Sequence, residues 1–436
     1  MRPTILFTVA CALQAHGASA QEATTAAPRW RASTAEVELR AGVARTDNAS
    51  KVSTDELSDT IYSVGLGLDY LRDGARFDVN ALADIDWLEY QDDTFDGDAL
   101  GYFDGAASYA FVPETFLWVA RQTFGQLVSD PLRAYTPDNL ENISFFSTGP
   151  DATFQFSEAT RLRVFGLYSI TDFQESPTDN EQLFGGLELT RKVSRDSSVG
   201  ISATANRVEF DNTNLNSDYD LQTAFVSYSV QSLRTQLSAD LGISRVADDG
   251  ETSDGTLVRV SASRRLSAST NAFLRVRQQF SNAGNLFREG LDPTNPSDPS
   301  IGIASGEAFE ERGAGLGWNL QRVRTELGIG ADWSEERYER QDALDRTVLR
   351  VDGYLVRRLG PSITLRGEAR WEDEEFDNAQ FDDDKLTLGA SIGWQIGRSY
   401  ALDFRYDYAD RTVSAQDGDY TENRLGIRFL YRPVRD

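Results

Sequence analysis

Arginine and carboxylate are the side chains with which this chain could do chemistry. Its only Cys is Cys11, its only His is His16 and its only Met is Met1. Once residues 1–20 are removed, no thiol, imidazole or thioether remains, which excludes disulfides, Cys/His metal sites and Ser-His-Asp catalysis. Arg259, Arg275, Arg277, Arg350, Arg366, Arg370, Arg405, Arg424 and Arg428 stand in the C-terminal half, mostly at even spacings. A guanidinium offers a planar fork that suits carboxylate or sulfate, so a basic arc of this kind could guide an anion. Asp69, Asp78, Asp84, Asp86 and Asp104 form an acidic counterpart nearer the N-terminus. The competing reading is that arginine and carboxylate pair with each other as a ladder, as the alternation of Arg366, Glu368 and Arg370 suggests. Glu372 and Asp373 could in principle serve a glycosidase, but neighbours on a strand point to opposite faces, and no enzymatic activity is expected. Acidic runs at 91–98, 211–220, 248–255 and 377–385 lack the calcium-loop pattern with its closing Glu, so no metal or cofactor is expected.

These residues need elements to position them, and the elements read as strands. In 75–90, Phe77, Val79, Ala81, Ala83, Ile85 and Trp87 alternate with Asp78, Asn80, Asp84 and Asp86. The same period of two recurs at 323–333, 363–371, 386–396, 400–408 and 425–431. The strands run to about 10–14 residues, against the roughly 5–6 usual in globular sheets and the 9–11 that a tilted strand needs to cross a hydrocarbon core. Short connections such as 72–74, 194–196 and 360–362 alternate with longer acidic ones: 47–59, 91–99, 126–141, 172–181, 211–218, 247–255, 281–311, 336–344, 374–383 and 411–419. That is the layout of a transmembrane antiparallel up-and-down β-barrel, with short periplasmic turns and long outer loops. The count is about 20 strands, with 18 as the alternative. Trp87, Trp333, Trp371 and Tyr408 would form one aromatic girdle, and Tyr70, Phe111, Tyr228, Trp394 and Tyr431 the other.

The chain opens as a secretory signal: Arg2, the apolar run Ile5–Leu13, then Ala18-Ser19-Ala20 before Gln21. The expected organisation is a signal peptide at 1–20, a flexible periplasmic leader at 21–34 and a barrel at 35–436. The formal charge of −26 and the pI near 4.5 argue against nucleic acid as a partner. Mean hydropathy of −0.43 is too polar for a helical membrane protein and suits strands that alternate. The location this implies is the outer membrane of a Gram-negative cell. Lipid, lipopolysaccharide and the barrel-insertion machinery are the expected partners.

Two segments carry a family likeness. One is 121–150, with Phe124-Gly125-Gln126, Pro137-Asp138-Asn139 and Ser147-Thr148-Gly149-Pro150; the other is Gly42–Asn48. In these the chain resembles outer-membrane β-barrel porins associated with exopolysaccharide loci. The resemblance implies a barrel along nearly the whole mature chain, with a conduit for an anionic exopolysaccharide or another polar solute as its function. The alternative is an occluded structural barrel whose acidic loops meet a surface partner. The chain departs from such proteins, which commonly end in an aromatic, in the five residues Arg432–Asp436 that follow Tyr431. The connection 281–311, with Pro293, Pro296 and Pro299, is expected either to fold inward as a constriction or to stay outside as a lid.

Overall fold

The computed structural model describes residues 32–213, 216–248, 251–282, 303, 305–377, 381–414 and 418–433. They form twenty antiparallel strands, β1 (Ala32–Thr46) to β20 (Tyr420–Tyr431), in one sheet. Each strand pairs with its sequence neighbours, and β1 pairs with β20 from Leu39↔Tyr431 to Thr46↔Arg424, so the sheet closes. Closure leaves no strand as a free edge, as a sheet in lipid requires, although the first residues of β1, before Leu39, pair with β2 alone.

Strand lengths run from 12 residues in β13 (Thr270–Ser281) to 16 in β6 (Leu140–Gln155), longer than the alternation indicates. The excess lies at the end with long loops. There β11 (Thr235–Asp248) and β12 (Glu251–Arg265) pair as far as Asp248↔Glu251, where the sequence suggests a loop at 247–255. Backbone pairing needs no apolar face, so the ladder continues into acidic sequence. At the other end β1 begins at Ala32, which takes 32–34 out of the expected leader. The signal and residues 21–31 lie outside the described residues.

The outward face of the strands is apolar and mostly exposed, half-exposed on β12. On β3 (Phe77–Tyr90), Phe77 and Trp87 face outward; on β18 (Phe381–Ile396), so do Leu386, Leu388, Ile392 and Trp394. The other face points into the lumen. Alternation fixes this parity, because a slip of one residue would turn every apolar side chain inward.

The likeness segments hold joints of the barrel. Asn48 is fully buried; its amide donates to Val52 O at 2.7 Å and to Thr421 O at 3.0 Å, and its Oδ1 accepts from Val52 N. Asp47 accepts from Asn423 N and Nδ2 at 2.7 and 2.8 Å, and Thr46 Oγ1 donates to Glu422 at 2.8 Å. The Thr-Asp-Asn run therefore ties β1 to β20 at the seam. Gly149 lies where a Cβ would sit 1.9 Å from Gly166 O, so β6 can approach β7 (Thr160–Phe173) only with glycine there.

Candidate functional site

The lumen is the candidate site, and register builds it. Asp69, Asp84, Asp86 and Asp104 face inward from β2 (Asp59–Asp73), β3 and β4 (Asp98–Val112), with Asp78 at the turn end accepting from Gly74 N. Arg40 threads through them. It donates to Asp84 at 2.7 Å and stands 3.3 Å from Asp86 and 3.8 Å from Glu38. Arg121 on β5 (Phe116–Val128) binds Asp104 at 2.8 Å. Strand parity places both cations inward, but neither belongs to the evenly spaced C-terminal series by which the sequence marks a basic arc.

The nine arginines of the expected arc also face inward, and carboxylates interleave with them. Arg259 meets Asp240 at 3.2 Å, and Arg277 meets Glu311 at 2.6 Å. Arg350 meets Glu372 at 2.7 Å, and Arg366 meets Asp403 at 3.6 Å. Arg405 binds Asp407 at 2.8 Å and also Glu368; Arg424 stands 3.7 Å from Asp407. Arg370 is opposite Asp352 in the register, and Arg275 acts through space on Asp332. Arg428 forms no ion pair with a described residue. Both charged sectors are thus largely neutralised within themselves. Between them, β8 (Asn180–Lys192) to β10 (Tyr219–Gln231) present hydroxyls and amides: Thr204 to Thr223 and Ser198 to Ser229 at 2.6 Å each, and Asn206 to Gln182 at 3.1 Å.

A buried ion cluster lies at the loop end of β15 (Thr325–Tyr338) to β19 (Tyr400–Val413). Arg346 donates to Glu336 at 2.9 Å and to Glu374 at 2.7 Å; Arg411 donates to Asp383 at 2.8 Å. All five are under 8% exposed. Burying charge is tolerable only with partners of this kind.

The connection 129–139 lies against this cluster, on the wall opposite its own strands. The Tyr135 ring stands 4.0 Å from Lys385 Nζ, its carbonyl accepts from Lys51 Nζ, and Leu132 O accepts from Arg411 at 3.5 Å. Burial, reinforced by Glu374 and Glu372, holds the Tyr135 phenol well above its usual pKa. Burial, with the charges of Lys385, Arg424 and Arg411, lowers Lys51 to about 8 against the pull of Glu422. Asn139 fixes the base of the loop. Its Nδ2 donates to Asp130 O at 2.9 Å and Ala134 O at 3.0 Å, and its Oδ1 accepts from Asp130 N at 2.9 Å. No period runs through 129–139, so nothing in its pattern marks it as crossing the mouth.

The described part of the long connection before β14 (Phe309–Arg322) also turns inward. Ile303 forms a parallel bridge with Val128 and packs on Phe376, Phe381 and Val413. Ala308 joins Val208, Phe210, Tyr219 and Phe280 in an apolar cluster. Residues 283–302 and 304, with the three prolines, lie outside the described residues.

A closed antiparallel barrel, apolar outside and polar inside, defines the class: a porin-like β-barrel. Residues 293–431 match the model of the family described as "Putative beta-barrel porin 2". Among solved structures, a mutant ferric enterobactin receptor of Pseudomonas aeruginosa is similar at 9% identity and a TM-score of 0.52, over 92% of this chain and 80% of that one. The siderophore receptor PirA from Acinetobacter baumannii is similar at 7% identity and a TM-score of 0.51, over 92% and 80%. At such identities the likeness is one of fold. No curated protein matches the chain.

Proposed function

We propose that this barrel is an outer-membrane channel for polar solutes, narrowed at its loop end by the connection 129–139. The observation that carries it is the reversal of polarity across the wall, with outward Leu, Ile, Val and Trp and inward Arg, Asp, Ser and Thr. Arginine and carboxylate alternating along one wall, opposite hydroxyls and amides, can exchange hydrogen bonds with a sugar chain and hold its carboxylates weakly. An anionic exopolysaccharide is accordingly the solute class proposed. Weak, distributed contacts suit passage, because a solute must leave as readily as it enters.

The second reading is an occluded barrel with a structural role, favoured by the docked 129–139 connection. Single-channel conductance in a planar bilayer separates the two. Steady conductance that uronate oligomers block supports the channel and its solute. Steady conductance without block keeps the channel and removes the anionic glycan. A silent, correctly folded barrel overturns the channel together with its proposed solute and leaves the structural reading.

A further inference from the structure

Outward-facing arginines of the loop-end rim mostly pair with carboxylate, although Arg45 donates instead to Thr60 Oγ1 at 3.0 Å and Ser58 Oγ at 2.8 Å; one arc of the turn-end rim differs. At the loop end, outward-facing Arg207, Arg245, Arg312 and Arg337 each have a carboxylate within reach: Glu209 at 2.7 Å, Asp254 at 2.6 Å, Glu310 at 2.9 Å and Glu335 at 2.8 Å. At the turn end, between β10 and β17 (Ile363–Phe376), the arginines are as dense and the carboxylates are missing. Arg234, Arg264, Arg265, Arg322, Arg324 and Arg357 form no ion pair with any described residue. The one carboxylate of this arc, Glu326, is taken by Arg358 at 3.2 Å.

The turn tips add a second feature. Each places an apolar side chain beside its arginines: Leu233 is 95% exposed and Val323 86%, with Leu266 and Leu359 also exposed. Arg322, Thr325 and Arg357 are consecutive partners in the register on the outward face, directly below Leu327 and Leu355. With Arg324 and Ser269 they line a crevice of about 580 Å³.

We infer that this rim binds the phosphate headgroups of anionic phospholipid in the facing leaflet. Guanidinium forks and hydroxyls match a phosphodiester, the exposed Leu and Val match the first methylenes of the chains, and no internal carboxylate competes. A soluble polyanion would meet the same charge, but it would have no use for apolar tips at the foot of the lipid-facing band. The inference rests on the membrane reading above.

The test compares three proteins in detergent: the natural chain, the triple variant Arg322→Gln/Arg324→Gln/Arg357→Gln, and the loop-end control Arg207→Gln/Arg245→Gln. Native mass spectrometry would follow adducts of phosphatidylglycerol against phosphatidylcholine, with heat-dependent gel migration confirming the fold. The natural chain and the control should retain phosphatidylglycerol, and the triple variant should hold it about a hundredfold less tightly. Equal phosphatidylglycerol occupancy in the triple variant would overturn the inference. So would polygalacturonate binding that the triple variant loses while lipid binding stays unchanged. If all three fold yet none inserts into phospholipid vesicles, the membrane reading fails instead.

Discussion

Lys51 meets three cations, Lys385, Arg411 and Arg424, and one carboxylate, Glu422, beneath the 129–139 connection. Its amine is lowered to about 8 by burial and by those cations. A free lysine titrates near 10.4, so the undocked loop binds the proton more tightly than the docked one. Protonation therefore favours undocking, and docking strengthens as pH rises from about 8 toward 10.4. Open-state occupancy in a planar bilayer should fall by at least about tenfold over that window. Lys51→Met, which carries no charge at any pH, should give a flat profile up to about pH 9.5, above which the undocked Tyr135 phenol begins to ionise and by itself favours undocking. A natural channel that opens as pH rises would show the sign to be wrong. Asn139 makes a separate prediction, because its three side-chain bonds span the loop base. At about 1 kcal/mol each, Asn139→Ala should loosen the loop by roughly 2–3 kcal/mol while leaving the barrel intact. Trypsin should then cut sooner after the exposed Arg133, with no change in thermal unfolding.

At the scale of elements, the buried ion cluster decides how firmly the loop end is held. Arg346→Met would leave Glu336 and Glu374 facing each other without a cation, at a cost of about 3–5 kcal/mol. Arg346→Met/Glu336→Gln/Glu374→Leu should recover most of it, since the loss comes from unpaired charge and not from the missing ion pair itself. Urea unfolding in vesicles would read both. This cluster also marks the boundary of what sequence carries. Parity tells that Arg346, Arg350 and Asp352 share a face, because side chains alternate strictly along a strand. It does not tell that Arg346 meets a residue 28 positions away, which depends on register, and register depends on loop geometry. The acidic stretch 247–255 shows the same limit from the other side. Its composition reads as loop, yet β11 and β12 stay paired through Asp248↔Glu251 because ladder bonds do not need apolar side chains. Tyr135 shows a third limit: a single aromatic in an aperiodic loop carries no signal of the wall it will dock on.

For the whole molecule, the alternation that fixes the fold also fixes where the medium changes. Leu241 lies midway along the outward face of β11, 58% exposed, with Val226 and Val258 as its cross-strand partners. Ser238, three residues earlier on the same strand, faces the lumen between Ser229 and Ser261. In water, an arginine at either position would be tolerated, since surface substitutions change stability by about 0.5 kcal/mol or less. In a bilayer the two positions separate. Leu241→Arg should destabilise the barrel by about 2–4 kcal/mol, because a guanidinium near the midplane loses its hydration. Ser238→Arg should stay near neutral, because the lumen is polar. Equilibrium unfolding in phospholipid vesicles measures both, and the difference between the variants matters more than either value. A large cost at Leu241 alone would establish that the apolar face meets hydrocarbon. Equal, small effects would mean that the exposed leucines and tryptophans are covered by something other than lipid, and the channel reading would fall with them.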